Sequence, residues 1–180
     1  MPTLMSIDGC LGMSGLIERE SGRCIATTAW RSVEAMQASR DQVTAVRNRV
    51  INAIGAQEPL VQEWEIPVMH RAHHAPPGAC ARLSWLKGDP AKMNNMIESF
   101  KTVMPELDDL PGFCSGSLLI NRDTGEAVST VVYENAEAVA RTRNIAQTLR
   151  RRVAEQTNAK ILEVGEFELA LAHLRVPELV

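Results

Sequence analysis

Three histidines stand close together at His70, His73 and His74, with Cys80 shortly after. Imidazoles at such spacing could hold a metal or touch a haem. A metal site needs three or four convergent ligands on rigid elements. The segment MHRAHHAPPG over 69–78 instead carries two prolines and a terminal glycine, the marks of a linker. Solvated linker histidines are the plainer reading, and the metal alternative rests on His70, His73 and His74 alone. Gly9-x-x-Gly12-x-x-Gly15 could cradle a phosphate, but such loops follow a strand and open a helix, whereas this one leads into a predicted strand. Ser115, in Gly112-Phe113-Cys114-Ser115-Gly116, lacks the spacing of a nucleophile elbow. Cys114 has no neighbour in sequence that would lower a thiol pKa. No set of residues supplies acid, base and nucleophile together, so the catalytic residues stay unknown.

The residues suited to binding a small molecule lie elsewhere. Arg82, Ser84 and Trp85 fall on a predicted strand over 79–86, and polar groups interrupting an apolar strand are what a small-molecule pocket uses for orientation. His173, beyond the final predicted strand, is a further candidate. Trp30 and Tyr133 stand at strand-to-helix junctions, where packing is the simpler role.

Bulk properties narrow the partners. The chain has 180 residues, a formal net charge of −3 and a sequence pI near 5.8, which argues against a nucleic-acid partner. The run Arg150-Arg151-Arg152 lies in a helical pattern, where successive residues point different ways, and reads as a solvated face. The first residues show no basic region followed by an apolar core, and no run approaches a membrane span. A cytoplasmic protein without membrane contact is expected, and its four separated cysteines are read as free thiols.

The positioning elements are written twice. A shift of 103 positions lays residues 9–65 on 112–168 without a gap, and about 17 of the 57 pairs are identical. Each copy reads strand, glycine turn at Gly22 or Gly125, strand, then a helix capped by Ser32 or Asn135. Met36, Val43, Val46, Val50 and Ile54 form one apolar stripe, and Val139, Ala146, Leu149 and Val153 form its counterpart, each meant to lie on a sheet. A last strand follows each helix, at 60–68 and 161–171. The second copy is preceded by the 79–86 strand and a helix on which Met93, Met96, Ile97, Phe100 and Met104 recur. The expected fold is therefore α+β, with ferredoxin-like units. An incomplete repeat (ββαβ) spans 1–69, a linker 70–78, and a complete repeat (βαββαβ) 79–180. The first copy lacks an opening strand and helix. An upstream start, another chain or residues 1–8 could supply what is missing.

The string Pro111-Gly112-Phe113, Gly125 and Tyr133-x-Asn135-x-Glu137-Ala138, with a fainter echo in Gly9, Gly22 and Trp30-x-Ser32-x-Glu34-Ala35, resembles the antibiotic-biosynthesis monooxygenase family. That resemblance implies a dimeric-type α/β barrel, here as a tandem repeat, and a homo-oligomer, most simply a dimer. It implies oxidation or binding of a small hydrophobic or aromatic molecule in the barrel cavity, with no cofactor. The family's haem-degrading branch resembles a pattern of Asn on the first strand and His on the second helix, and neither is present here. A non-catalytic ligand-binding or oligomerisation module is the alternative, and haem or metal binding a lesser one.

Overall fold

The structure, a computed structural model, describes residues 2–180, and backbone contacts divide it into two compact units. The larger holds residues 16–24, 63–170 and 177–180, and the smaller holds 25–62, 171–176 and the first residues through Gly15.

In the larger unit the strands are β3 (Glu65–Arg71), β4 (Cys80–Lys87), β5 (Phe113–Asn121), β6 (Glu126–Tyr133) and β7 (Lys160–Leu174), joined by the hairpin tip of β1 (Cys10–Glu18) and β2 (Arg23–Trp30). Their order is β2-β1-β7-β4-β6-β5-β3. Beside β4 lie β6 and β7, both antiparallel, so β4 is central and its side chains are buried from Ala81 to Ser84. The last strand of the first repeat, β3, pairs with β5 of the second. It also runs further than the sequence pattern suggests, to Arg71, so His70 sits on a strand and the amides of Ala72 and His73 bond the Cys114 carbonyl.

One face of this sheet is covered by helices α4 (Met93–Asp108) and α6 (Arg143–Thr157). Asp89 caps the entry to α4 through a short 3-10 turn that opens on Pro90. The helix continues through Pro105 rather than stopping before it, at the cost of one hydrogen bond in its last turns. The expected stripe holds: Met93, Met96, Phe100, Leu118, Val139, Leu149 and Val153 share one core.

The smaller unit carries α1 (Pro2–Met5), α2 (Val33–Ala38) and α3 (Arg40–Ile54) with the remaining parts of β1, β2 and β7. Here the expected packing does not form. No residue of α2 or α3 is buried, and Val50 and Ile54 are 53% and 65% exposed. The reason is physical: the complete copy buries its stripe against β4 and α4, and this unit has no counterpart of that strand among the described residues.

Both long helical patterns also break where a single helix was expected. Ser39 and Thr142, equivalent across the 103-residue shift, separate α2 from α3 and α5 (Ala136–Arg141) from α6. Both are buried, and their hydroxyls bond backward to Met36 O at 2.7 Å and Ala138 O at 2.9 Å. A hydroxyl that competes for a helical carbonyl bends the helix.

Gly22 and Gly125 occupy the equivalent hairpin turns at φ +73° and +75°. At Gly22 an added Cβ would meet nothing, whereas at Gly125 it would lie 2.4 Å from the Gly88 carbonyl oxygen and 2.9 Å from the Pro90 nitrogen. Gly22→Ala is expected to cost roughly 1–2 kcal/mol of left-handed strain. Gly125→Ala should cost clearly more, because backbone must move as well, and urea unfolding of the two variants checks the order.

Candidate functional site

A cleft in the larger unit lies between the sheet face of β4, β5 and β6 and helices α4 and α6, and encloses about 40 Å³, room for roughly three water molecules. Met96, Phe100, Leu118, Val131 and Leu149 supply apolar walls. Polar groups also line it: Arg82 and Ser84 on β4, Ser129 and Tyr133 on β6, and Arg150 on α6.

Strand register explains this grouping. Arg82 and Ser84 are two residues apart and so share the helix-covered face. Ser84 stands opposite Ser129 on β6, and Arg82 stands opposite Glu166 on β7. That cross-strand neighbour becomes an ion pair: Arg82 Nη2 lies 3.0 Å from Glu166 Oε1, with Nε at 3.2 Å. The same guanidinium donates to the Val139 carbonyl and, at 3.4 Å, to Thr142 Oγ1, which fastens it to the kink between α5 and α6. Its charge also lies 5.6 Å from the centre of the Tyr133 ring.

Glu166 accepts as well from Arg143 at 2.8 Å. Burial alone would raise its pKa, but hydrogen bonds from Arg143 and Arg82 and their charges outweigh it and hold the carboxyl below 4.5. A depressed folded-state pKa contributes stability that is complete above the unfolded value near 4.5 and lost as pH falls through the folded value. Glu166→Gln should therefore remove part of the acid-side loss of stability, measured as melting temperature between pH 3 and pH 7.

Tyr133 is wholly buried, and its hydroxyl is the buried side-chain polar atom without a hydrogen-bond partner among the described residues. Desolvation pushes its pKa above 10; Thr142 and Arg82 approach and favour the phenolate without completing a hydrogen bond of good geometry. Because the chain has a single tyrosine, a tyrosinate absorbance titration reads this group alone. It should titrate above 10, and Arg82→Gln should raise it further by removing a nearby cation. Arg150 is half-buried and donates to Ser84 Oγ at 3.4 Å. Desolvation, with the nearby Arg82 charge, lowers its pKa.

Trp85 is separated from this group by the same alternation. It faces the other side of β4, in edge contact with Phe167 and with the Arg23 guanidinium 4.7 Å from its ring centre. His173 is exposed in the smaller unit, where its backbone carbonyl packs against Gly12. His70 pairs with Glu178 and, at 3.3 Å, with Asp108, and these contacts outweigh burial and raise its pKa above 6.5. His73 Nδ1 faces the His74 carbonyl at 3.1 Å. Among the described residues no group of three or more His, Cys, Asp or Glu is arranged to hold a metal ion. Cys114 is buried, and desolvation, with the Glu134 charge, pushes its thiol to about 11, away from nucleophile chemistry.

Three polar residues of the cleft, Ser129, Tyr133 and Arg150, were not singled out from the sequence as binding groups. Tyr133 reads as packing, and Arg150 reads as one of three solvated arginines. The 103-residue shift carries Arg47 onto Arg150, but it also carries Arg49 onto Arg152, so the repeat alone does not pick out the arginine of the cleft. Arg151 and Arg152, by contrast, pair outward with Glu155 and Glu106.

A scan against protein-family models matched none. The chain is 47% identical over 181 residues to uncharacterized protein Rv2557 of Mycobacterium tuberculosis (strain ATCC 25618 / H37Rv), covering 100% of this chain and 80% of that protein. The chain belongs to the family of that mycobacterial protein. Among solved structures it is similar to an anthrone oxidase-like protein, with TM-score 0.68, 12% identity, and 97% of this chain and 82% of that one covered. It is also similar to an uncharacterized ferredoxin fold protein related to antibiotic biosynthesis monooxygenases from Listeria monocytogenes 4b F2365, with TM-score 0.53, 6% identity, and coverage of 88% and 81%. The fold is thus the α+β, ferredoxin-like fold of monooxygenase-like proteins. No helix among the described residues is long and apolar enough to cross a membrane.

Proposed function

We propose that the chain binds a small, largely apolar or aromatic molecule in the cleft over β4 and β6 and oxidises it with O₂. The observation that carries the reading is the Tyr133 hydroxyl, buried in a residue that lines the cavity and without a partner among the described residues. An unmet buried donor costs about 1–3 kcal/mol, and a ligand oxygen would meet it. The oxidation reading rests on the monooxygenase-like fold. A substrate with an acidic C–H₂ group is its own reductant in such a step. It loses a proton, passes electrons to O₂, keeps one oxygen as a carbonyl and releases the other in water. The dry walls and aligned donors of the cleft favour the charged intermediate.

The lining favours one other reading. Glu166 is committed to Arg82 and Arg143, and the cleft lining includes no carboxylate or imidazole to take the proton. Binding without turnover is the second reading.

Oxygen-electrode traces with an anthrone as substrate, run beside a calorimetric titration, separate the two. Substrate-dependent O₂ uptake that falls at least about tenfold in Tyr133→Phe supports oxidation. Binding without O₂ uptake supports the second reading, and no binding overturns both. Tyr133→Phe should also leave stability unchanged or raise it by up to about 1 kcal/mol, since it deletes an unpaired buried hydroxyl.

A further inference from the structure

We propose that the cleft selects an anion: a small molecule with an apolar or aromatic body and one negatively charged oxygen, seated between Arg150, the Tyr133 hydroxyl and Ser84. This rests on the reading that the cleft binds a ligand, and adds the charge that ligand must carry.

Three guanidiniums, those of Arg82, Arg143 and Arg150, lie within the field of one carboxylate, Glu166. Glu166 is spent on Arg82 and Arg143, whose hydrogen bonds to it are direct. Arg150 is left with the neutral Ser84 hydroxyl at 3.4 Å, and no carboxylate is paired with it among the described residues. A half-buried cation without a counter-ion is costly, and the walls around it are apolar, so an incoming anion gains more here than in water.

The Tyr133 hydroxyl is a buried donor with no acceptor. Tyr133, Ser84 and Arg150 line the same cleft, and Arg150 donates to Ser84 Oγ at 3.4 Å. One anionic oxygen accepts from Tyr133 and Arg150 together, and charge-assisted hydrogen bonds of this kind are about twice as strong as neutral ones. A neutral carbonyl would meet the hydroxyl but leave Arg150 as it is. Glu166 keeps Arg82 neutralised, which points the anion to Arg150. The cavity of about 40 Å³ is too small for a ring system as it stands. Met96 in its wall is unbranched and adapts to an occupant, so the body of the ligand enters by displacing side chains, not backbone.

Benzoate and benzamide are matched probes, equal in shape and differing in charge. Calorimetric titration of the full chain with each, at pH 7 and low salt, tests the inference. Benzoate is expected to bind at least about tenfold tighter than benzamide. Arg150→Gln should bring the two within about twofold, and Arg150→Lys should restore part of the preference by keeping the charge. In protein labelled at the tyrosine ζ carbon, the single resonance should shift with benzoate at the same midpoint. Equal affinity for both probes overturns the anion inference while leaving the cleft as a ligand site. So does a preference for benzoate that survives Arg150→Gln in folded protein. Failure of both probes to bind overturns the cleft reading along with it.

Discussion

The buried guanidinium of Arg82, 3% exposed, joins three parts of the larger unit that are far apart in the chain. It pairs with Glu166 across the β4–β7 ladder and donates to Val139 and Thr142 at the break between α5 and α6. Removing the half-exposed Glu166 would leave the buried Arg82 charge without its carboxylate, which is costly. The same contact sets the electrostatics of the cleft. With Glu166 absorbed by Arg82 and Arg143, Arg150 is the cation of the cleft with no carboxylate paired to it, and Tyr133 the hydroxyl with no partner, among the described residues.

The kink is part of this arrangement. Thr142 bonds back to Ala138 and Val139 and receives Arg82, so the bend in the helix and the seat for the cation arise from one side chain. Its counterpart Ser39 makes the same backward bond to Met36, which shows that the bend comes from the local hydroxyl rather than from the arginine. The first copy repeats the junction aromatic as Trp30 and the helix cation as Arg47. Among the described residues no strand of the first copy corresponds to β4 with its Arg82 and Ser84, and β4 is what supplies the polar wall of the second copy's cleft.

Locally encoded features were legible in the chain. Turn glycines, caps and the alternation of apolar residues depend on neighbours within a few positions, so Gly22, Gly125, Ser32 and Asn135 stand where their residue types place them. Arg82 and Ser84 were legible as polar breaks in an apolar strand. That Trp85 would be turned away from them follows from a period of two, but which face is covered by helices does not. His70 was read in a linker because prolines follow it; pairing of β3 with β5 extends the strand through it.

The sequence by itself therefore determined the repeat, the α+β alternation of elements and the resemblance of its motifs, since all three rest on short-range pattern or on the chain's likeness to itself. Tertiary structure decided what α3 leaves uncovered, which of three adjacent arginines turns inward, and that the Tyr133 hydroxyl is left without a partner among the described residues. Those outcomes depend on desolvation and on which charges meet, and Arg82 meets Glu166 across 84 residues of chain. No window of sequence contains both sides of such a contact.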